Sequence, residues 1–206
     1  QTLPLNVLRN STDLNALTDV ALLTQAGYLT IKTIKYGTTV FVGYPNKEVR
    51  RAMAQLYMEQ LLDGRVAGQV GAGPIDQVLS EDGPESLFHI LNRLFLSIDY
   101  HRFLVRDEFS VRAFVQIYFV AAGLDPIVKR RNSHGRSNLE VGVANMHWIL
   151  EFKISHRNED AQIKLDEAVR QIEERMHGEQ VSSLEKIRVA LVYRLDKREF
   201  VRWEEC

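Results

Sequence analysis

The sequence predicts a mixed α/β or α+β domain in its C-terminal part, preceded by a small helix–hairpin–helix unit. From Asp107 onward the predicted order is helix, three strands, helix and two strands, which is typical of a sheet covered by helices. The strands alternate apolar and polar residues, whereas the helices repeat apolar residues every three or four positions. We divide the chain into a first unit of residues 1–65, a linker of residues 66–85 and a domain of residues 86–206.

Composition and charge exclude several classes of protein. The 206 residues are 45% apolar and 26% charged, which is ordinary for a folded chain and wrong for a disordered one. No apolar run approaches the ~18 residues of a membrane span, and the single cysteine, Cys206, excludes a disulfide framework. The net charge of −1 requires a local basic patch for any nucleic-acid contact. Nothing resembles a signal peptide, so we expect a cytoplasmic protein or a piece of a longer one.

The first unit is predicted from two helices that flank a two-stranded wing. The helices are residues 13–25 and 47–62, and the strands are residues 28–35 and 38–44. Gly27 supplies the left-handed residue that ends the first helix, and Tyr36-Gly37 forms the turn between the strands. This winged-helix-like order occurs in DNA-binding modules and in structural lids of ATPases, and for this chain we favour the lid.

The remaining elements follow a glycine-rich segment with little amphipathic pattern, which we interpret as the linker. The predicted helices begin at Pro84, Asp107 and Asn158, and each shows one apolar side. The predicted strands are residues 127–129, 138–143, 146–154, 187–193 and 199–203.

The hairpin of residues 138–154 brings chemistry-bearing side chains to one face. A two-residue turn after Val143 places Asn138 opposite Glu151, and alternation places Lys153 beside Glu151. The apolar positions of both strands fall on the other face. A carboxylate, an amide and an ammonium group therefore converge on the polar face.

The two flanking helices add further polar side chains. Glu108 heads the apolar stripe of its helix, so it is expected to face the sheet. On the later helix Lys164, Gln171 and Arg175 lie along one flank of the apolar face. We expect that flank to border the polar side of the hairpin and to supply hydrogen-bond donors to a phosphate.

Each of these residues also has an ordinary structural interpretation. Glu151 and Lys153 are compatible with an exposed charge pair on a sheet, and Glu108 with a first-turn acid that favours the helix dipole. Gln171 taken alone is typical of a solvated helix position. Their joint placement favours a functional site.

Three short motifs follow one another in a fixed order along the domain. They are Gly135-Arg136-Ser137-Asn138-Leu139, Glu151-Phe152-Lys153 and Ala168-Val169-Arg170-Gln171-Ile172. In this order they resemble the PD-(D/E)XK nuclease superfamily, and most closely the branch that lies C-terminal to an AAA-type ATPase-like region. Residues 26–31 and 43–49 resemble the same branch, so the resemblance covers almost the whole chain.

The resemblance implies a restriction-endonuclease-like mixed sheet flanked by helices and Mg²⁺- or Mn²⁺-dependent hydrolysis of DNA. It makes Glu108, position 138 and Glu151 the metal ligands, which suits the oxygen donors that Mg²⁺ prefers. Lys153 matches the lysine that orients the attacking water and steadies charge on the phosphate. Gln171 matches the glutamine that helps to position the substrate or the lysine.

Position 138 departs from the family pattern, because it holds asparagine where the family has aspartate. An amide oxygen can coordinate Mg²⁺ but carries no charge, so we expect weak or absent cleavage. Two explanations stay open: the substitution silences an active nuclease by engineering, or the chain is a natural pseudo-nuclease that binds nucleic acid or protein. A structural appendage of an ATPase is a third interpretation.

A basic run leads directly into the polar face. Such a run is usually a solvated loop, but beside a phosphodiesterase site it favours contact with the nucleic-acid backbone. The contacts that we expect are Lys129, Arg130, Arg131, Arg136, Lys164 and Arg175. DNA is the expected partner, together with a second copy of the chain or an ATPase-like region of the same parent protein; we expect no membrane.

Overall fold

The computed structural model describes residues 2–9, 18–131, 136–176 and 184–206, excluding the side chains of residues 6, 9, 129–131, 136–138, 175 and 176. The described chain forms two compact units, residues 1–53 and 54–206. The predicted division into a winged-helix-like segment, a linker and a nuclease domain stays a prediction. Among the described residues, no helix is both long and apolar enough to cross a bilayer.

The first unit contains a three-stranded antiparallel sheet in the order β1-β3-β2. Its elements are β1 (Thr2–Pro4), α1 (Leu5–Arg9), α2 (Asp19–Gln25), β2 (Thr30–Lys35), β3 (Thr39–Gly43) and the first part of α3 (Lys47–Leu61). The predicted turn is present, with Tyr36 and Gly37 at φ values of 54° and 66°, as a tight hairpin requires. The predicted first helix is seen as α2, and its residues 13–17 lie outside the described residues.

The second unit contains a five-stranded mixed sheet in the order β4-β5-β6-β7-β8. Its strands are β4 (Ile127–Arg131), β5 (Arg136–Val143), β6 (Met146–Ser155), β7 (Glu185–Arg194) and β8 (Glu199–Glu205). Strands β6 and β7 pair in parallel, because a helix connects them, and the other described pairs of this sheet are antiparallel. The predicted mixed α/β architecture is confirmed.

Helices cover both faces of this sheet. They are α4 (Ile75–Gln77), α5 (Pro84–Leu96), α6 (Glu108–Ala121) and α7 (Ala161–Met176). Apolar residues of α5 and α6 form one core with the face of β5 and β6 that carries Leu139, Trp148 and Leu150. Residues of α7 form a smaller core with Ala190 and Val192 of β7.

The glycine-rich segment of residues 66–85 takes part in the larger core. Ala72, Ile75 and Leu79 are fully buried in it, and the Leu79 carbonyl accepts a hydrogen bond of 2.9 Å from the indole of Trp148. The segment therefore packs against the sheet although its sequence shows little periodicity.

Candidate active site

The β5–β6 hairpin has the register that the sequence predicts. Val143 pairs with Met146 across a two-residue turn, and the ladder runs back to the pair Leu139–Leu150. The ladder ends there, and continuing the same register by one residue would bring Asn138 opposite Glu151, as the sequence predicts. The side chain of Asn138 itself lies outside the described residues.

Glu151 and Lys153 occupy the polar face of the hairpin, and both are buried, with relative exposures of 2% and 3%. In the parallel register they lie beside Ala190 and Val192, the two β7 residues that pack against α7. They are therefore not an exposed charge pair. Burying a carboxylate and an ammonium group is costly unless each has partners, so this position has a structural or chemical requirement for charge.

Glu108 reaches this buried row from the first turn of α6. Its Oε1 atom lies 3.4 Å from Lys153 Nζ, and its side chain remains 43% exposed. The helix start is fixed by Asp107, whose carboxylate accepts a 2.8 Å hydrogen bond from Ser110 N while Ser110 Oγ accepts one from Asp107 N. The structure thus brings Glu108 and Lys153 together, with Glu151 two residues before Lys153 on the same strand face.

Gln171 is buried on α7, with a relative exposure of 7%. Its Oε1 atom has no hydrogen-bond partner among the described residues, and the same holds for Ser155 Oγ at the end of β6. Gln171 is therefore not the solvated helix residue that its sequence position alone would favour. A buried carbonyl oxygen without a partner is costly, and it is a suitable acceptor for a bound group.

The predicted nucleic-acid contacts are only partly described. Lys164 lies on α7, and its ammonium group is 3.4 Å from the Glu167 carboxylate on the same helix. The side chains of Lys129, Arg130, Arg131, Arg136 and Arg175 lie outside the described residues. The role of this basic set stays a prediction.

A further polar pair on the same sheet face was not assigned to the site from the sequence. Glu140 Oε2 lies 3.1 Å from His147 Nε2, and Glu140 is 5% exposed. Glu140 follows Asn138 by two residues, so strand alternation was the signal that placed it on this face. The pair adds a second buried carboxylate in the row next to position 138.

The donor set is suited in kind to a hard divalent cation. Glu108 and Glu151 present carboxylate oxygens next to Lys153 in space and in sequence, respectively, and Gln171 has an unpaired carbonyl oxygen on α7. Among the side chains that the structure describes, no three His, Cys, Asp or Glu residues form a metal-binding group by themselves. The sequence-based assignment of position 138 as a further ligand stays a prediction, because its side chain lies outside the described residues.

A family comparison covers the part of the chain that contains these residues. The model of the PD-(D/E)XK nuclease superfamily matches residues 106–205, which includes α6, the whole five-stranded sheet and α7. Residues 106–205 belong to the PD-(D/E)XK nuclease superfamily. No curated protein gives a significant match to the chain. The superfamily assignment makes nuclease chemistry the function to test, and the ATPase-associated branch stays a prediction.

The contact between Glu108 and Lys153 should contribute to the free energy of unfolding. In Glu108→Gln the buried ammonium group loses a neighbouring negative charge, so we expect about 1–2 kcal/mol of destabilisation in urea unfolding at neutral pH. Glu85→Gln is the matched control, because Glu85 also lies in the first turn of a helix but its side chain is 75% exposed. It should change stability by less than about 0.5 kcal/mol. Equal effects of the two variants would show that the contact with Lys153 contributes nothing.

Proposed function

We propose that residues 106–205 hydrolyse phosphodiester bonds of DNA with Mg²⁺ or Mn²⁺. The observation that carries this proposal is the buried Lys153, held 3.4 Å from Glu108 and two residues from the buried Glu151. The negative charge that develops on the phosphate during hydrolysis is stabilised more strongly by a buried ammonium group than by a solvated one. The reason is that water screens the buried group less. Superfamily membership of the same residues supports the assignment.

The proposed roles follow from the donor types. Glu108, Glu151 and the residue at position 138 would hold the cation, which supplies charge that polarises the phosphate and favours ionisation of the attacking water. Lys153 would orient that water and stabilise charge on the phosphate. Gln171 would accept a hydrogen bond from the water or from Lys153. The basic residues around β4 and α7 would contact the DNA backbone.

Asn138 favours a second candidate function for the chain as it stands. The amide removes one negative charge from the cation site, so the domain would retain nucleic-acid binding with little or no cleavage. This alternative is an inactive pseudo-nuclease that serves as a binding module. An ATPase-like region of the same parent protein and a second copy of the chain are further proposed partners, and the cytoplasm is the proposed location.

The missing charge predicts weak metal binding. In calorimetry the chain should bind Mg²⁺ or Mn²⁺ weakly, because Asn138 leaves Glu108 and Glu151 as the only proposed carboxylate ligands, and Glu108 lies 3.4 Å from Lys153. Asn138→Asp should raise the affinity by about 10-fold or more. Glu199→Asp, a change in β8, is the control and should leave the affinity unchanged. Sub-micromolar Mg²⁺ affinity of the Asn138 form would contradict the charge argument.

DNA cleavage tests the proposed function directly. Supercoiled plasmid is incubated with the Asn138→Asp variant in Mg²⁺, in Mn²⁺ and in EDTA, and nicked or linear products are expected only with the metals. An RNA substrate in parallel separates the two kinds of nucleic acid.

A further inference from the structure

The first unit is basic although the chain as a whole is slightly acidic. Residues 1–53 have a net charge of +3, whereas the complete chain has a net charge of −1. The Lys and Arg residues of this unit are Arg9, Lys32, Lys35, Lys47, Arg50 and Arg51, and its Asp and Glu residues are Asp13, Asp19 and Glu48. Asp19 and Glu48 lie in the first turns of α2 and α3 rather than on the sheet.

A β-bulge places two lysines on the outer face of the sheet. Val40 and Val42 of β3 are buried, so Thr39, Phe41 and Gly43 alternate onto the opposite, outer face. Ile31 pairs with Val42 and Thr33 pairs with Phe41, so Lys32 is the extra residue of the bulge. Lys35 pairs with Thr39 and therefore also faces outward.

Both lysines contact atoms of the outer face. The Lys35 ammonium group lies 5.2 Å from the centre of the Phe41 ring. Lys32 lies over Gly43, where a Cβ would be 3.4 Å from Lys32 Cε, and its Nζ is 3.4 Å from the Pro45 carbonyl oxygen. Both side chains remain exposed to solvent. Two cations are thus arranged on one surface next to an aromatic ring.

The hairpin tip adds an unusually exposed aromatic side chain. Tyr36 directly follows Lys35, has a relative exposure of 94% and sits in the left-handed region at φ 54°. A bulky residue is uncommon in that conformation, and a tyrosine ring this exposed is not held by packing. Proteins that bind single-stranded nucleic acid combine positive charges that follow the backbone with aromatic rings on which bases stack.

We propose that the outer face of the β1-β3-β2 sheet and its hairpin tip bind a single nucleic-acid strand. Lys32 and Lys35 contact phosphates of the strand, and the Tyr36 ring stacks on a base. The charge of the unit supplies the long-range attraction, because it is opposite to that of the nucleic acid. This surface lies in residues 1–53, so it is separate in sequence from the nuclease domain and does not depend on its activity.

Fluorescence anisotropy with the full chain and a labelled single-stranded oligonucleotide tests this surface. The buffer contains EDTA, so metal-dependent cleavage does not interfere, and affinity is measured at several salt concentrations. In Lys32→Ala/Lys35→Ala the slope of log affinity against log salt should fall by about 1.4, the value for two contacts to a single strand. Tyr36→Ala should weaken binding by about fivefold or more with little change in the slope.

A charge-matched variant serves as the control. Arg157→Ala/Lys197→Ala removes two exposed positive charges from the second unit and should leave the affinity within about twofold of the original. Circular dichroism checks that each variant folds. Unchanged binding by both the lysine and the tyrosine variants would overturn the proposal, whatever the cleavage assay shows.

An acidic peptide distinguishes nucleic acid from protein as the occupant. Labelled polyglutamate of the same charge should bind about tenfold or more weakly than the oligonucleotide and should be insensitive to Tyr36→Ala, because it offers no base for stacking. Equal affinity for polyglutamate, lost in the lysine variants, would assign the surface to an acidic protein partner and overturn the proposal.

Discussion

Asn138→Asp should convert the chain into a metal-dependent nuclease, with a cleavage rate about 10²-fold or more above that of the Asn138 form. Extending the hairpin register by one residue brings position 138 opposite the buried Glu151, so we expect the substitution to add a negative charge near Glu151 and Lys153. The added charge strengthens cation binding and increases the polarisation of a bound phosphate. Plasmid cleavage with Mg²⁺, compared with EDTA, measures the gain.

Lys153 provides the decisive second variant. Its 3% exposure means that truncation to alanine would remove packing as well as charge, so Lys153→Met is the sharper change because it keeps most of the side-chain volume. In the Asn138→Asp background it should abolish cleavage, a loss of about 10²–10³-fold for one electrostatic donor. Urea unfolding should show a variant that still folds but is less stable than the lysine form, because Glu108 and the buried Glu151 lose a neighbouring positive charge.

Two controls test whether the added charge at position 138 causes the gain in cleavage. Asn138→Ala should remain inactive, because it changes the same position without adding charge. Asn138→Asp combined with Glu151→Gln should also be inactive if both residues hold the same cation. A folded Asn138→Asp variant that cuts neither DNA nor RNA with Mg²⁺ or Mn²⁺ would contradict the nuclease proposal for this chain and leave the binding module as the leading function.

Local sequence pattern was sufficient to predict the hairpin and the helices around it. Alternation in β5 and β6, together with a two-residue turn, determines which side chains share a face, and both are short-range properties. The start of α6 was equally predictable, because Asp107 is a strong N-cap residue followed by an apolar stripe. Glu108 could therefore be assigned to the site before its distance to Lys153 was known.

Other features depend on contacts between distant residues. The sequence leaves open whether Glu151 and Lys153 are exposed, because their burial depends on how α7 packs against β7. The bulge at Lys32 arises from the pairing between β2 and β3, so the alternation of apolar and polar residues along β2 does not predict it. The glycine-rich segment has the pattern of a linker because its buried residues, such as Ile75 and Leu79, are too few for a periodic pattern.

Trp148→Ala should greatly destabilise the second unit, and it tests whether the segment of residues 66–85 is part of the domain. Trp148 is fully buried on the apolar face of β6, and its indole donates to the Leu79 carbonyl at 2.9 Å. Truncation leaves a large cavity and a carbonyl without its donor, so we expect a loss of about 3–5 kcal/mol. This corresponds to a fall in Tm of about 6–20 °C, measured by circular dichroism.

Two further variants show how much of the lost stability comes from the cavity and how much from the hydrogen bond. Trp148→Phe retains an aromatic ring but lacks the indole N–H, so it should lower the free energy of unfolding clearly less than Trp148→Ala. Leu96→Ala is the control at a side chain that is 61% exposed, and it should lower the free energy of unfolding by less than about 0.5 kcal/mol. If the segment behaves as part of the core, Trp148→Ala should also increase proteolytic cleavage within residues 66–85, because the hydrogen bond from the sheet to Leu79 is lost. A normal Tm together with unchanged protease resistance in Trp148→Ala would mean that the segment does not depend on the sheet. The boundary of the folded domain would then lie after residue 85, as the sequence pattern alone predicts.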